Sequence, residues 1–488
     1  MTRRRKTTSE YFIADRKIPG WAVAFSLMAT MISSVTFVAH PGAAFSRNMW
    51  PLLTVAALPV VFVFIGLVIV PFYRRVVRMS VYEYMDKRFG TGARVYTSAG
   101  FIIIRMWDLG FTLYTTAIAA SVMSGWDIRY VLLGLAVYTT LYTMLGGIEG
   151  VIWTDVVQGF VLIGGGLLVL ALIFVRAEGG AASILSEAYR AGKFGIGETE
   201  FSFRSMYREM PTAWILFLAG GIAMARNYVT EQNMVQRYLV ARTDREAKRG
   251  AFAGALICIP IWLLFMFIGA CLYGFYRSPG VQLPADVVGR PDNILPYFVV
   301  TQMPAGLVGV ILAAILAAAQ SSISADLNSV STVATNDYFA RLFPKSSDRA
   351  RLRFGRFAVL LGGAVCASIA MLLTIGRSRA AMEIGVTLGG ILAGGVLGLF
   401  ALAFFTRRGN RLGANVGIAS CLLFTTWATV TGPLRIDLGI NFGMNPIMLG
   451  LFTQVILFAV GYAISVVWPV VGKEDVTGLT VWSMRSAD

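Results

Sequence analysis

Charge is scarce in this sequence. Only 14% of its 488 residues are Asp, Glu, Lys or Arg, where a soluble domain carries about 25%. Hydrophobic residues make up 57%, and the mean hydropathy is +0.69. No stretch is polar enough to be a soluble domain, which excludes the roughly three such domains that the length alone suggests. Histidine is nearly absent: the lone His40 cannot build a metal site by itself and reads as structural or pore-lining. The four cysteines, Cys258, Cys271, Cys366 and Cys421, lie inside or at the end of apolar runs without CxxC spacing. They read as small buried hydrophobes. No signal-peptide cleavage pattern precedes the first apolar run.

What charge there is carries one dominant sign, a net +16. Its placement argues against nucleic acid, because it sits in short clusters between apolar runs, such as Arg74, Arg75, Arg78 and Arg349, Arg351, Arg353. Loops on the cytoplasmic side of membrane proteins carry this excess.

About twelve runs are long and apolar enough to span a bilayer, at about 20 residues each. They cover 21–44, 50–71, 94–123, 129–146, 150–175, 212–236, 250–275, 304–337, 355–376, 382–405, 412–431 and 446–470. The fold class is therefore an all-α polytopic membrane protein, because lipid-exposed backbone must satisfy its own hydrogen bonds. Segments 1–20, 72–94, 237–249, 338–356, 406–411 and 471–488 carry 28 Lys/Arg against 12 in the opposite loops. That asymmetry makes the first side cytoplasmic, with both termini on it. The longest loop, 176–211, lies opposite and contains a possible short helix over 182–190.

Two runs are interrupted. The first contains Thr30-Met31-Ile32-Ser33-Ser34-Val35-Thr36 with Pro41 and Gly42 beyond, and the sixth contains Arg226-Asn227-Tyr228-Val229-Thr230-Glu231-Gln232-Asn233. An offset of five helices reverses topology, so the two are inverted-repeat mates. Transporters place broken half-helices in this way, with solute held at the midplane between them. The eighth run carries Ser321-Ser322-Ile323-Ser324-Ala325-Asp326-Leu327-Asn328-Ser329. Such a concentration of hydroxyls beside a carboxylate suits a hard cation such as Na⁺.

At these residues the chain resembles the sodium/solute symporter family. Tyr11-Phe12-Ile13-Ala14-Asp15-Arg16-Lys17-Ile18-Pro19-Gly20-Trp21 is similar to its YFLAGRxLPxW motif, and residues 147–158, with Trp153-Thr154-Asp155, to its GGxxAVxWTDxxQ motif. Val235-Gln236-Arg237-Tyr238-Leu239 with Glu246-Ala247-Lys248 resembles VQRxLAAKSxxEAxxG, and Ala318 to Thr332 resembles SSxxSxLNSxST. The resemblance covers most of residues 10–405. It implies a LeuT-type core of two inverted five-helix repeats, about 21–175 and 212–405, followed by two additional helices over 406–470 and a tail over 471–488. It also implies Na⁺-coupled alternating access in the inner cell membrane and no enzymatic activity. Carried over by position, the Na⁺ ligands are the carbonyls of Ala29, Ile32 and Ala318 and the hydroxyls of Ser321 and Ser322. Asp155, Ser324 and Asp326 are the residues for an outer shell or an extra cation, although Ala325 stands where such a site has a further hydroxyl.

The solute site, again by position, is lined by Ser33, Thr36, Asp108, Asn227, Tyr228 and Gln232. Hydroxyls and amides suit a sugar or polyol. Residues 34–37, 71–75 and 82–84 look most like the branch that includes sialic-acid carriers. That branch implies an arginine near the position of Asp108, and an aspartate there reverses the charge, so a neutral solute is preferred to an acidic one. Proton coupling through Asp108 or Asp326, or a sensory rather than transporting membrane unit, are the alternatives. Most members begin with one more helix ahead of the first motif, whereas Met1 here starts in what should be the loop after it. The expectation is an upstream apolar helix in the reading frame or in a close homologue. Inspection of the in-frame codons before Met1 checks it, and a stop codon within a few residues would contradict it.

Overall fold

The computed structural model describes residues 7–177, 179–208, 211–277, 283–375, 394–469 and 476–484. Among these, eight helices are long and apolar enough to cross a membrane. One of them, Ile128–Arg176, is two helices joined at Gly147, whose φ of 55° turns the chain back. This split separates the fourth span from the fifth. The other long helices supply the second (Trp50–Val76), third (Thr91–Ser124), seventh (Asp244–Tyr276), eighth (Ala305–Leu342), ninth (Asp348–Thr374) and eleventh (Arg411–Thr431) spans, and Leu449–Val467 forms the twelfth. Of the expected tenth span the described part is Val396–Phe405; residues 382–393, like Arg377 and Arg379 before them, lie outside the described residues.

The first and sixth spans are broken, as the polar interruptions require. The first consists of Gly20–Met31 and Ser34–Ser46, parted at an extended Ile32 and Ser33, with 55° between Gly20–Met31 and Thr36–Ser46. Consecutive serines favour this break, because their hydroxyls compete with the helix for backbone partners. The sixth consists of Ala213–Thr230 and Gln232–Val240, parted at Glu231, which is extended with φ −91° and ψ 127°. A break leaves the last carbonyls of one half and the first amides of the next without intrahelical partners. In lipid those groups must find other partners or a ligand.

Small residues bring the first and seventh spans together. A Cβ on Gly254 would stand 2.8 Å from the Ala24 carbonyl oxygen, and one on Gly250 would stand 2.6 Å from that of Gly20. Backbones approach this closely where no side chain intervenes, which is how helices associate in lipid. Loop helices cover the far side. Gly180–Arg190 realises the short helix expected in the longest loop. Ile294–Gln302, which the hydropathy pattern did not single out, buries Ile294, Leu295, Phe298 and Val299 beside the outer half of the first span.

The basic N-terminal segment, expected on the cytoplasmic side over 1–20, is docked on the helices from Thr8 onward. Thr8–Ile13 is helical, with Tyr11 and Phe12 buried. The Tyr11 hydroxyl donates to the Met144 carbonyl at 3.0 Å, at the end of the fourth span. Thr8 donates through its backbone and its hydroxyl to Asp348 at the start of the ninth span. Ile18 bridges to Ala241 at the end of the sixth. Ala14, Asp15 and Arg16 all have positive φ (48°, 46° and 56°), which costs about 1–2 kcal/mol per residue for side chains with a Cβ. The hydrogen bond from Ser9 to the Asp15 carboxylate, 2.6 Å, holds this turn. Tyr11→Ala is expected to destabilise the detergent-purified protein by about 3–5 kcal/mol, and Tyr11→Phe by about 1 kcal/mol. Intrinsic-fluorescence melting of the two variants checks the difference.

Candidate functional site

Residues 318, 321 and 322 recur at helical spacing, so they share the face of the eighth span that packs on the break of the first. There the Ser321 hydroxyl lies 2.9 Å from the Ala29 carbonyl and 2.9 Å from that of Ala318. Ala29 is within the last turn before the break, which is why its carbonyl is open to a partner from another helix. Ile32 is fully buried at the break. The Ser322 hydroxyl is buried without a hydrogen-bond partner. Ser324 donates back to the Ser321 carbonyl at 3.2 Å. Three of the five oxygens expected by position, the Ser321 hydroxyl and the Ala29 and Ala318 carbonyls, are therefore in contact between two helices, and the Ser322 hydroxyl is unsatisfied.

A cluster of charges lies at the break of the sixth span. Arg105, midway along the third span, approaches Glu231 at 3.3 Å, Asp326 at 3.5 Å and Asp108 at 3.5 Å. Glu231 also accepts from Arg226 at 3.1 Å. Asp326 accepts from the Asn233 amide at 2.6 Å. Three spans thus meet at one guanidinium, and three carboxylates share two arginines. Glu231 and Asp326 are nearly buried, whereas the Asp108 side chain keeps 48% of its surface open although it sits in mid-helix. The i,i+3 contact between Arg105 and Asp108 that the sequence suggests is present, but it is one of three around the same arginine.

Arg237 and Asp155 form a second buried group, 3.1 Å apart with no exposed surface on either side chain. Ser26 of the first span donates to the same Asp155 oxygen at 2.5 Å and accepts from Arg237 at 2.8 Å. Arg237 also donates to the Asn233 carbonyl at 2.6 Å. This corrects the sequence reading, which placed Arg237 in a basic loop. The sixth span continues helically to Val240 and carries Arg237 inward to the carboxylate that its charge requires. Asn233, Gln236 and Arg237 lie three to four residues apart on one buried helix, and that spacing was the available signal.

The expected solute residues separate into two sets. Asp108, Ser33 and Asn227 keep part of their surface open, and Asn227 accepts from Arg226 at 3.3 Å. Thr36 is buried in the outer half of the first span. Tyr228 and Gln232 are not brought to the opening. Tyr228 is fully buried, its ring edge-on to Phe62 with centroids 4.4 Å apart. Gln232, also fully buried, accepts from the Val81 amide at 2.8 Å and donates to the Met79 carbonyl at 2.7 Å. It fastens the turn between the second and third spans. Asp155 and Asp326 share no direct partner, so the structure does not gather the two into one site.

Two broken helices, buried charge at their breaks and a hydroxyl-rich helix packed against one break define a transporter of the LeuT type. Comparison with known proteins agrees. The model of the sodium:solute symporter family matches residues 11–420, and the chain belongs to that family. It is 34% identical over 423 residues to the sodium/sialic acid symporter SiaT of Proteus mirabilis, covering 86% of this chain and 83% of that one. It is 33% identical to the sodium/sialic acid symporter NanT of Aliivibrio fischeri, covering 87% and 83%. A solved Na⁺-coupled sialic acid symporter, in a substrate-bound outward-open state, superposes with a TM-score of 0.86 at 28% identity, covering 97% of this chain and 95% of that one. The protein is a Na⁺-coupled solute symporter, a multi-pass membrane protein that carries a small solute together with Na⁺.

Arg105→Gln is expected to leave Glu231 and Asp326 buried around a neutral residue. Removing one partner of a buried pair costs about 3–5 kcal/mol. The variant should therefore melt well below the parent, and adding Asp326→Asn should recover part of the loss. Melting temperatures of the three purified proteins measure both effects.

Proposed function

We propose that this chain carries a small polyhydroxylated solute without a carboxylate, by alternating access, across the inner cell membrane with both termini in the cytoplasm. The charge balance at the solute site supports this solute class. Arg105 and Arg226 are each engaged by carboxylates, and Asp108, the most open of the three, is itself an anion. An acidic solute would bring a further negative charge to a site already in excess, and in a low-dielectric cavity that is costly. Hydroxyl donors suit an open carboxylate, which accepts several hydrogen bonds at once. SiaT and NanT, by their names, carry sialic acid. Uptake into proteoliposomes under a Na⁺ gradient separates the two classes. Neutral sugars or polyols should be accumulated and sialic acid should not, and accumulation of sialic acid alone would overturn the reading.

Sodium in this reading binds between the first and eighth spans, on the carbonyls of Ala29, Ile32 and Ala318 and the hydroxyls of Ser321 and Ser322. The unpartnered Ser322 hydroxyl supports it, because a buried polar atom without a partner costs about 1–3 kcal/mol unless something fills it. A hard cation would also take over the two carbonyls on which the Ser321 hydroxyl rests. Asp155 keeps one buried carboxylate oxygen without a hydrogen bond, and with Ser324 it stands for an outer shell or a second cation. Asp326 is already engaged by Asn233 and Arg105. Ser321→Ala and Ser322→Ala should each raise the Na⁺ concentration for half-maximal uptake by roughly 5- to 150-fold. Na⁺ titrations at matched protein levels decide this, and unchanged curves for both variants would refute the site.

A further inference from the structure

The cluster at the sixth-span break carries more negative than positive charge, and the residues around it do not correct the imbalance. Asp108, Glu231 and Asp326 face Arg105 and Arg226. Asp108 and Asp326 both reach the same Arg105 nitrogen, Nη1, each at 3.5 Å. That separation is loose for a charge-assisted hydrogen bond, which closes to about 2.7–2.9 Å. The other two Arg105 nitrogens, Nε and Nη2, both approach Glu231 at 3.3 Å, so the two aspartates are left to share Nη1. An uncompensated charge this deep in a helical bundle faces a cavity and awaits a partner.

A second observation, independent of the charge count, points the same way. Asn233 spends its amide nitrogen on Asp326, and its side-chain oxygen is buried with no hydrogen-bond partner. The cluster therefore offers an empty acceptor as well as an excess anion, and one group that is both donor and cation answers both. Sodium fits poorly here, because it wants a complete shell of oxygens and the Arg105 donors already take part of it. A solvent proton would remove the charge and leave the Asn233 oxygen empty. An ammonium group supplies one positive charge and three hydrogen-bond donors, and it needs no closed shell.

Building on the polyhydroxylated, carboxylate-free solute proposed above, we infer that the solute also carries a primary amine. Its ammonium sits against Asp108 and makes the cluster neutral, while its hydroxyls take the remaining polar groups of the cavity. Specificity follows from the difference between the two states of the site. With the amine the charges balance. With an uncharged analogue the excess anion remains, so the analogue binds more weakly even though its hydroxyls are identical.

The test uses the purified full-length chain in saturating Na⁺ and reads the ligand concentration that gives half-maximal thermal stabilisation. The probes are 2-amino-2-deoxyhexoses, their N-acetylated forms, the parent hexoses, and sialic acid. The aminohexoses should act at roughly tenfold lower concentration or less than the N-acetylated and parent sugars, the range expected for a hydrogen bond to a charged group. Asp108→Asn should abolish that difference. Should Asp108→Asn fail to fold, Asp108→Glu, which keeps the charge, must retain the preference for the amine. Equal action of aminohexose and parent hexose overturns the inference and leaves the carboxylate-free reading standing. Stabilisation by sialic acid alone, or by none of the sugars, overturns both.

Discussion

The rest of the structure depends on one buried ion pair. Arg237 and Asp155 meet with no surface exposed on either side chain, and taking two such charges out of water costs several kcal/mol per ion. The cost is offset in part by hydrogen bonds: every Arg237 nitrogen has an acceptor, and one Asp155 oxygen takes two donors while the other has none. Asp155 receives Ser26 from the first span and Arg237 from the sixth, and Arg237 in turn holds the Asn233 carbonyl one turn back along its own helix. The inner half of a broken helix has few hydrogen bonds of its own to keep it in place. Here it is pinned to the fifth and first spans by charge.

From that pair a continuous polar path runs to the break of the sixth span. Asn233 carries Arg237 on its carbonyl and Asp326 on its amide nitrogen. Asp326 reaches Arg105, and Arg105 reaches Glu231 at the break. The path joins the third, fifth, sixth and eighth spans through side chains that each have more than one partner. A shift of the sixth span's inner half would change partners along the whole path at once. The first and seventh spans, by contrast, meet through glycines at backbone distance and have no room to slide. In the proposed cycle they would move together, and the charged path would be the interface that rearranges. The docked N-terminal helix closes the same side, bridging the ends of the fourth, sixth and ninth spans.

Much of this was legible in the sequence because membranes impose simple rules. Span length and apolar content mark the helices, and Ser33-Ser34 and the Arg226 to Asn233 segment mark the breaks. The eighth-span hydroxyls were legible because Ser321 and Ser322 stand where lipid would exclude them without a reason. Arg237 was misread because the apolar run was closed at residue 236, whereas the helix continues to Val240 and buries that charge on a partner 82 residues away. Gln232 and Tyr228 were placed at the solute by position along the chain. Which side of a helix faces the cavity depends on tertiary packing, and here both side chains turn to the scaffold. That the N-terminal segment docks was not legible from its charge, and the burial of the Tyr11 and Phe12 rings is what holds it.

The central claim, that the Arg237–Asp155 pair holds the broken sixth span in place, is tested most directly by a double-mutant cycle. Asp155→Asn, Arg237→Gln and the combined variant would be purified and their unfolding free energies compared with the parent under one detergent condition. The account predicts a loss of about 3–5 kcal/mol for each single change, since each strands a buried charge, and a combined loss well below their sum. Losses that simply add would contradict it, because the two residues would then act independently of each other.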